Sequence, residues 1–244
     1  SNRRGMLSNL KGHAALITGG SSGIGRAIAV RLAKEGADVC VTARREEVLN
    51  EVVAECKALG VNAIAVVADA SDSSQLTAAA DKAFEAFGKL SILVNNAGVM
   101  VATQDSPEQY ALATQVNLIS LMVLSQHCIQ YLSKCDRGAL IQIASVAAKK
   151  SFPGALPYCA TKWGVLGYTT GLFEVPELRE NGIKVCSINP GYVNTPMVQG
   201  RPGLDDAKMI QPEDIAEMVS FIAKFPDNAC PTEITVMPQR SPYV

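Results

Sequence analysis

Short β-branched apolar runs alternate along this chain with longer stretches of helical periodicity, and that alternation leaves few folds open. Strands are expected over 14–18, 38–43, 63–68, 90–95, 138–144, 183–189 and 233–237. Helices are expected over 23–35, 46–59, 73–87, 107–132, 156–180 and 212–223. The runs are apolar throughout, so both faces of their sheet need cover. Strand–helix alternation then predicts a doubly wound parallel α/β sheet. Ile24, Ile28 and Leu32 form an apolar stripe on the first helix. Gly36, Gly60 and Gly182 stand where helices should stop. No linker or repeat interrupts the pattern, so residues 1–244 are expected to form one domain. Only 191–211, with Gly200, Gly203, Pro196 and Pro202, is long and patternless, which suggests a substrate lid.

Composition narrows the function. With 22 Lys+Arg against 23 Asp+Glu there is no basic excess, so a nucleic-acid partner is not expected. The longest uncharged apolar run, 139–148, is strand-sized, so no membrane partner is expected. Ser1-Asn2-Arg3-Arg4-Gly5-Met6 lacks the apolar core of a signal peptide. Seven cysteines without C-x-x-C spacing fit reduced thiols and a cytoplasmic location. With His13 and His127 as the only histidines, no metal site is expected.

The first strand runs into Thr18-Gly19-Gly20-Ser21-Ser22-Gly23-Ile24-Gly25 and then a helix. Glycines at such a turn let backbone N–H groups approach a phosphate at the positive helix end. The same residues spell G-x-S-x-G, a hydrolase nucleophile elbow, in the required strand–turn–helix context. That alternative needs a later acid and histidine, and His127 sits inside a helical pattern with Leu124, Cys128 and Tyr131.

Taken together with four further motifs, the chain resembles the short-chain dehydrogenase/reductase family over almost its whole length. The first turn matches T-G-x-x-x-G-x-G, and Asn95-Asn96-Ala97-Gly98 matches N-N-A-G. Ser145 ends the fifth strand, and Tyr158-Cys159-Ala160-Thr161-Lys162 matches Y-x-x-x-K. Pro190-Gly191-Tyr192-Val193-Asn194-Thr195 resembles P-G-x-V-x-T. The resemblance implies a Rossmann-type seven-stranded sheet of order 3-2-1-4-5-6-7, with Asn117, Ser145, Tyr158 and Lys162 as catalytic residues. It places Gly19, Ser21, Ser22, Gly23, Ile24, Gly25, Asn95, Ala97, Gly98, Tyr158, Lys162, Pro190, Gly191, Val193 and Thr195 around a nicotinamide dinucleotide. It also implies a homodimer or homotetramer built on the two long helices, with apolar surface from Leu118, Leu121, Met122 and the 163–166 region.

Elementary chemistry agrees with those assignments. Tyr158 and Lys162 stand four apart and share a helix face. An adjacent ammonium favours a phenolate, and lowering a tyrosine to ~7 takes about 4 kcal/mol, with an oxidised nicotinamide's charge contributing. Such a tyrosine can donate a proton to a carbonyl oxygen, and Ser145 can hydrogen-bond that oxygen. The resemblance assigns Asn117 to a water-mediated proton relay with Lys162.

The second strand ends at Ala43, followed by Arg44 and Arg45. NAD binders generally place an acid there for the ribose 2′-OH, whereas arginines suit the 2′-phosphate of NADP(H). Pairing of Arg44 and Arg45 with Glu46 and Glu47 is the alternative. Asp69 resembles the adenine-contacting acid of the family, or else caps a turn. The expected activity is NADP(H)-dependent hydride transfer with a small-molecule carbonyl or alcohol, and the alternative is a catalytically weak nucleotide sensor on the same fold. Expected pocket walls are Met100, Val101, Ala147, Phe152, Val193 and Met197. Lys149 and Lys150 either meet an anionic substrate tail or are solvated. Pro176 should kink the sixth helix near 173–176.

Overall fold

The computed structural model describes residues 5–243. Ser1, Asn2, Arg3 and Arg4, read above for a leader core, lie outside the described residues. Its strands are β1 (Ala14–Thr18), β2 (Asp38–Ala43), β3 (Ala63–Val67), β4 (Ile92–Asn95), β5 (Gly138–Ile143), β6 (Ile183–Pro190) and β7 (Glu233–Val236). They pair in parallel in the order β3-β2-β1-β4-β5-β6-β7. The order reverses between β1 and β4, so a crevice opens beyond their carboxyl ends.

Strand alternation divides the core. Ala15 and Ile17 of β1 face α1 (Gly23–Lys34), α2 (Glu46–Ala58) and α8 (Pro212–Lys224), packing with Ile28, Leu49 and Val219. Leu16 faces the other layer, where α3 (Ser73–Phe87) and α5 (Ser120–Leu132) contribute Ala80 and Leu124. The helices before Gly36, Gly60 and Gly182 do stop at those glycines, whose φ values are +92°, +86° and +71°.

Both long helices are interrupted. The stretch expected as one helix over 107–132 is α4 (Pro107–Thr114), a π-helical turn at Gln115–Ile119, and α5. By length and composition Pro107–Leu132 is apolar enough to cross a membrane. Here Leu121, Leu124, Cys128 and Leu132 are buried within the fold. The 156–180 stretch breaks as Pro176 requires, into α6 (Leu156–Phe173) and α7 (Pro176–Glu180). Val175 between them is extended, and Pro176 occupies the first turn of α7, where its missing N–H costs no helical bond.

The 191–211 segment has more structure than its glycines and prolines suggest. Val193 bridges Ile210, Ile210 N–H donates to the Tyr192 carbonyl, and Asp206–Lys208 forms a 3₁₀ turn. The 237–243 segment folds back over it. Leu204 and Tyr243 form an antiparallel bridge, and Asp205 N–H donates to the Pro242 carbonyl at 2.8 Å. The Tyr243 ring meets Tyr192 edge-on, with centroids 5.8 Å apart.

Candidate active site

A cavity of about 800 Å³ occupies the crevice at the sheet's carboxyl edge. Its floor is the turn after β1. Gly19 has φ +66°, and a Cβ on Gly25 would lie 2.2 Å from the Gly19 carbonyl oxygen, so the helix start can approach the turn only without a side chain. Gly25 therefore shapes the turn and does not line the cavity, while Gly19, Ser21, Ser22, Gly23 and Ile24 do. The Ser22 side chain does not cap α1, leaving that helix's first N–H groups for an anion.

At one end Thr42, Arg44, Arg45 and Asp69 line the wall. Both arginines are exposed, and neither forms an ion pair with Glu46, Glu47 or any other acid among the described residues. Asp69 does cap a turn, accepting from the Ser71 N–H and hydroxyl at 2.8 Å each. Those bonds, with help from the nearby Arg44 charge, hold its carboxyl below the usual range. The Thr42 hydroxyl is buried without a partner among the described residues. An open helix end, two unpaired guanidinium groups and an unpartnered hydroxyl around one elongated cavity fit a phosphorylated dinucleotide.

At the other end lie Tyr158 and Lys162, on the first turns of α6 and both nearly buried. Lys162 Nζ donates to the Ile143 carbonyl at 3.0 Å and sits 5.6 Å from the Tyr158 ring centroid. Burial pushes the Lys162 ammonium down to about 8. It also pushes the Tyr158 phenol up to about 12, against the neighbouring Ser145 hydroxyl and the Arg201 charge, which both favour the phenolate. The fall toward 7 expected from Lys162 together with an oxidised nicotinamide's charge is not produced by the protein's own groups by themselves. Lys162 is spent on Ile143, and desolvation outweighs the rest. Tyr158 is held protonated, as a proton donor must be. Ser145, just past β5, accepts from the Ala147 N–H at 3.1 Å, which fixes its hydroxyl.

Asn117 lies in the π-helical turn and is fully buried. Its side chain grips Val99, accepting from the N–H at 2.8 Å and donating to the carbonyl at 2.9 Å. It also donates to the Thr161 hydroxyl at 3.2 Å, and Thr161 in turn donates to the Tyr158 carbonyl. Asn117 and Lys162 face each other across Gly98, where a Cβ would be 3.3 Å from Asn117 Oδ1 and 3.8 Å from Lys162 Nζ.

Some sequence assignments move. Asn95 points away from the cavity, because side chains alternate along β4, and donates to buried Ser125. Asn96, passed over in the sequence, lines the cavity instead. Its Nδ2 donates to the Thr18 and Gly19 carbonyls, and the Thr18 hydroxyl accepts from the Asn96 and Ala97 N–H groups. Ala97 and Gly98 line the cavity as expected. Pro190, Gly191 and Val193 stand behind it. Pro190 ends β6, Gly191 N–H donates to the Val236 carbonyl, and Val193 is buried against the core. Thr195, Pro196 and Met197 form that wall. Of the six expected pocket walls only Met197 lines the cavity; Met100, Val101, Ala147 and Phe152 pack instead in a cluster with Tyr158 and Cys159, and Val193 lies in the core. Thr18 leads the T-G-x-x-x-G-x-G match without being among the assigned site residues, and Thr161 stands at an unspecified position of Y-x-x-x-K.

A family model described as short chain dehydrogenase matches residues 13–203. An uncharacterized oxidoreductase of Staphylococcus epidermidis is 32% identical over 235 residues, covering 95% of this chain and 100% of that protein. A 3-oxoacyl-(acyl-carrier-protein) reductase of Staphylococcus aureus is 34% identical over 225 residues, covering 86% of this chain and 89% of that protein. The crystal structure of a short chain dehydrogenase from Burkholderia cenocepacia in complex with NADP is also similar. It superposes with a TM-score of 0.87 at 33% identity, over 95% of this chain and 98% of that one. This chain therefore belongs to the short-chain dehydrogenase/reductase family of oxidoreductases.

Proposed function

We propose that the protein is an NADP(H)-dependent oxidoreductase acting on a small carbonyl or alcohol, with Tyr158 as its acid–base residue. The observation that carries this is one cavity with a buried tyrosine beside Ser145 at one end and two unpaired arginines at the other. Hydride transfer is the chemistry a bound nicotinamide supplies. Tyr158 would donate its proton to the substrate oxygen in the reducing direction and take it back in the oxidising one. Ser145, already fixed by Ala147, would hold that oxygen and stabilise its developing charge. Lys162 would place an ammonium beneath the site, and Asn117 would keep Val99 and the start of α6 in register.

The Burkholderia protein's NADP complex supports the phosphorylated cofactor, and β2 ending at Ala43 without a carboxylate supports it further. A charge-assisted hydrogen bond from Arg44 to a 2′-phosphate is worth about 1.5–3 kcal/mol, or one to two orders of magnitude. A carbonyl panel followed at 340 nm should therefore favour NADPH over NADH at least tenfold in kcat/KM. Ala43→Asp with Arg44→Ala should shift the preference toward NADH. Equal use of both cofactors would reduce the arginines to surface charges. Tyr158→Phe should cut kcat more than tenfold with cofactor affinity near normal, and a smaller loss would remove the acid–base role. A nucleotide sensor would bind cofactor but turn over no member of the panel.

A further inference from the structure

Two basic side chains near the substrate end have no use in that chemistry. Arg201, exposed in the 191–211 segment, has its guanidinium Nη2 3.4 Å from the Met197 carbonyl, and Met197 lines the cavity. Lys150, from the loop after β5, lies 5.8 Å from the ring centroid of Phe152, which packs with Val101, Ala147 and Tyr158. Neighbouring cations are already matched. Lys149 pairs with Glu233 at 2.5 Å and Lys208 with Asp205 at 3.0 Å. Arg201 and Lys150 form no ion pair among the described residues. Asp105, the acid on the adjoining wall, is turned to the Ala102 N–H at 2.7 Å. The Arg201 charge also reaches Tyr158, so it acts on the reacting end of the cavity.

We infer that the substrate carries an anionic group, a carboxylate or a phosphate, which Arg201 and Lys150 hold at the mouth of the cavity. This rests on the oxidoreductase function proposed above and narrows its substrate to an oxo or hydroxy compound with a negative tail. The apolar lining residues Val99, Leu112, Val116 and Met197 suit an apolar spacer. A guanidinium matches either anion with paired N–H donors, and the ammonium adds a point charge.

Calorimetric titration with NADP⁺ saturating tests this. One pair of probes is 4-oxopentanoate against its methyl ester, and the second is dihydroxyacetone phosphate against dihydroxyacetone. In at least one pair the charged member should bind tenfold tighter or more, and which pair does so separates carboxylate from phosphate. Arg201→Gln should erase that advantage, Arg201→Lys should keep part of it, and Lys150→Gln should reduce it less. Equal binding within both pairs, or an advantage that survives Arg201→Gln, would overturn the inference. Turnover of the neutral ketones with NADPH is read in parallel. Turnover without charge preference sinks the anion site alone. An Arg201-dependent anion preference without turnover of any probe counts against the oxidoreductase function and keeps the site.

Discussion

Burial acts on Tyr158 and Lys162 in opposite directions, favouring the neutral form of each. For the lysine this is a stability cost. Its ordinary value is 10.5 and its folded value about 8, so below pH 8 both states are protonated and the folded one carries the full penalty. That penalty is roughly 3 kcal/mol, against about 1 kcal/mol for the hydrogen bond to Ile143. Between about pH 8 and 10.5 the unfolded state binds more protons, so the penalty fades as pH rises. Lys162→Met should thus be inactive yet about 2 kcal/mol more stable than wild type in urea at pH 7, with the gain nearly gone at pH 10.5. A destabilised variant at pH 7 would mean that Lys162 is better accommodated than its burial implies. The motif named this lysine, but not its partner. Sequence spacing puts two side chains on one helix face; whether the amine reaches the phenol or a strand carbonyl depends on the neighbouring β5, which the spacing does not contain. Asn95 and Asn96 show the same limit, since which of two adjacent asparagines meets the cavity depends on the pleat of β4.

At the scale of elements, the strands were legible to within two residues because each is a short apolar β-branched run that breaks off into polar or turn-forming residues. The π-helical turn was not, because one extra residue barely disturbs an apolar pattern that continues on both sides. Its function is clear from what it inserts. Asn117 satisfies both backbone groups of Val99, so Asn117→Ala would orphan a partly buried N–H and a partly buried carbonyl at about 1–3 kcal/mol each. A loss of about 2–5 kcal/mol is expected in urea unfolding, with a raised KM because Val99 lines the cavity. A loss under 1 kcal/mol would show that Val99 finds other partners. Pro176, by contrast, was readable. A proline inside a helical pattern ends it, and the structure shows where.

For the molecule as a whole, we expect self-association to use the outer face of α5 and α6. The residues expected to offer apolar surface there are partly used within the chain: Leu121 is buried, and Leu118, Met122 and Leu166 pack against it. Ile119, Val123 and Trp163 are the ones left exposed, at 38%, 40% and 49%. Exposed apolar side chains on neighbouring helices favour an isologous dimer. Light scattering at micromolar concentration should give at least twice the 25.8 kDa chain mass, and Trp163→Glu should lower it. A monomeric wild type would refute the association.

The 237–243 segment, clasped over the 191–211 segment, would set a clock as well as a shape. Opening the substrate wall means breaking the Leu204–Tyr243 bridge and parting the Tyr192 and Tyr243 rings. Two backbone contacts and one edge-on ring pair sum to roughly 3 kcal/mol, so the open form would be populated at under a percent. We expect product release to wait on the opening of that clasp. Turnover should slow in proportion to added sucrose viscosity, and Tyr243→Ala should weaken that dependence. A kcat indifferent to viscosity would place the slow step in the chemistry at Tyr158.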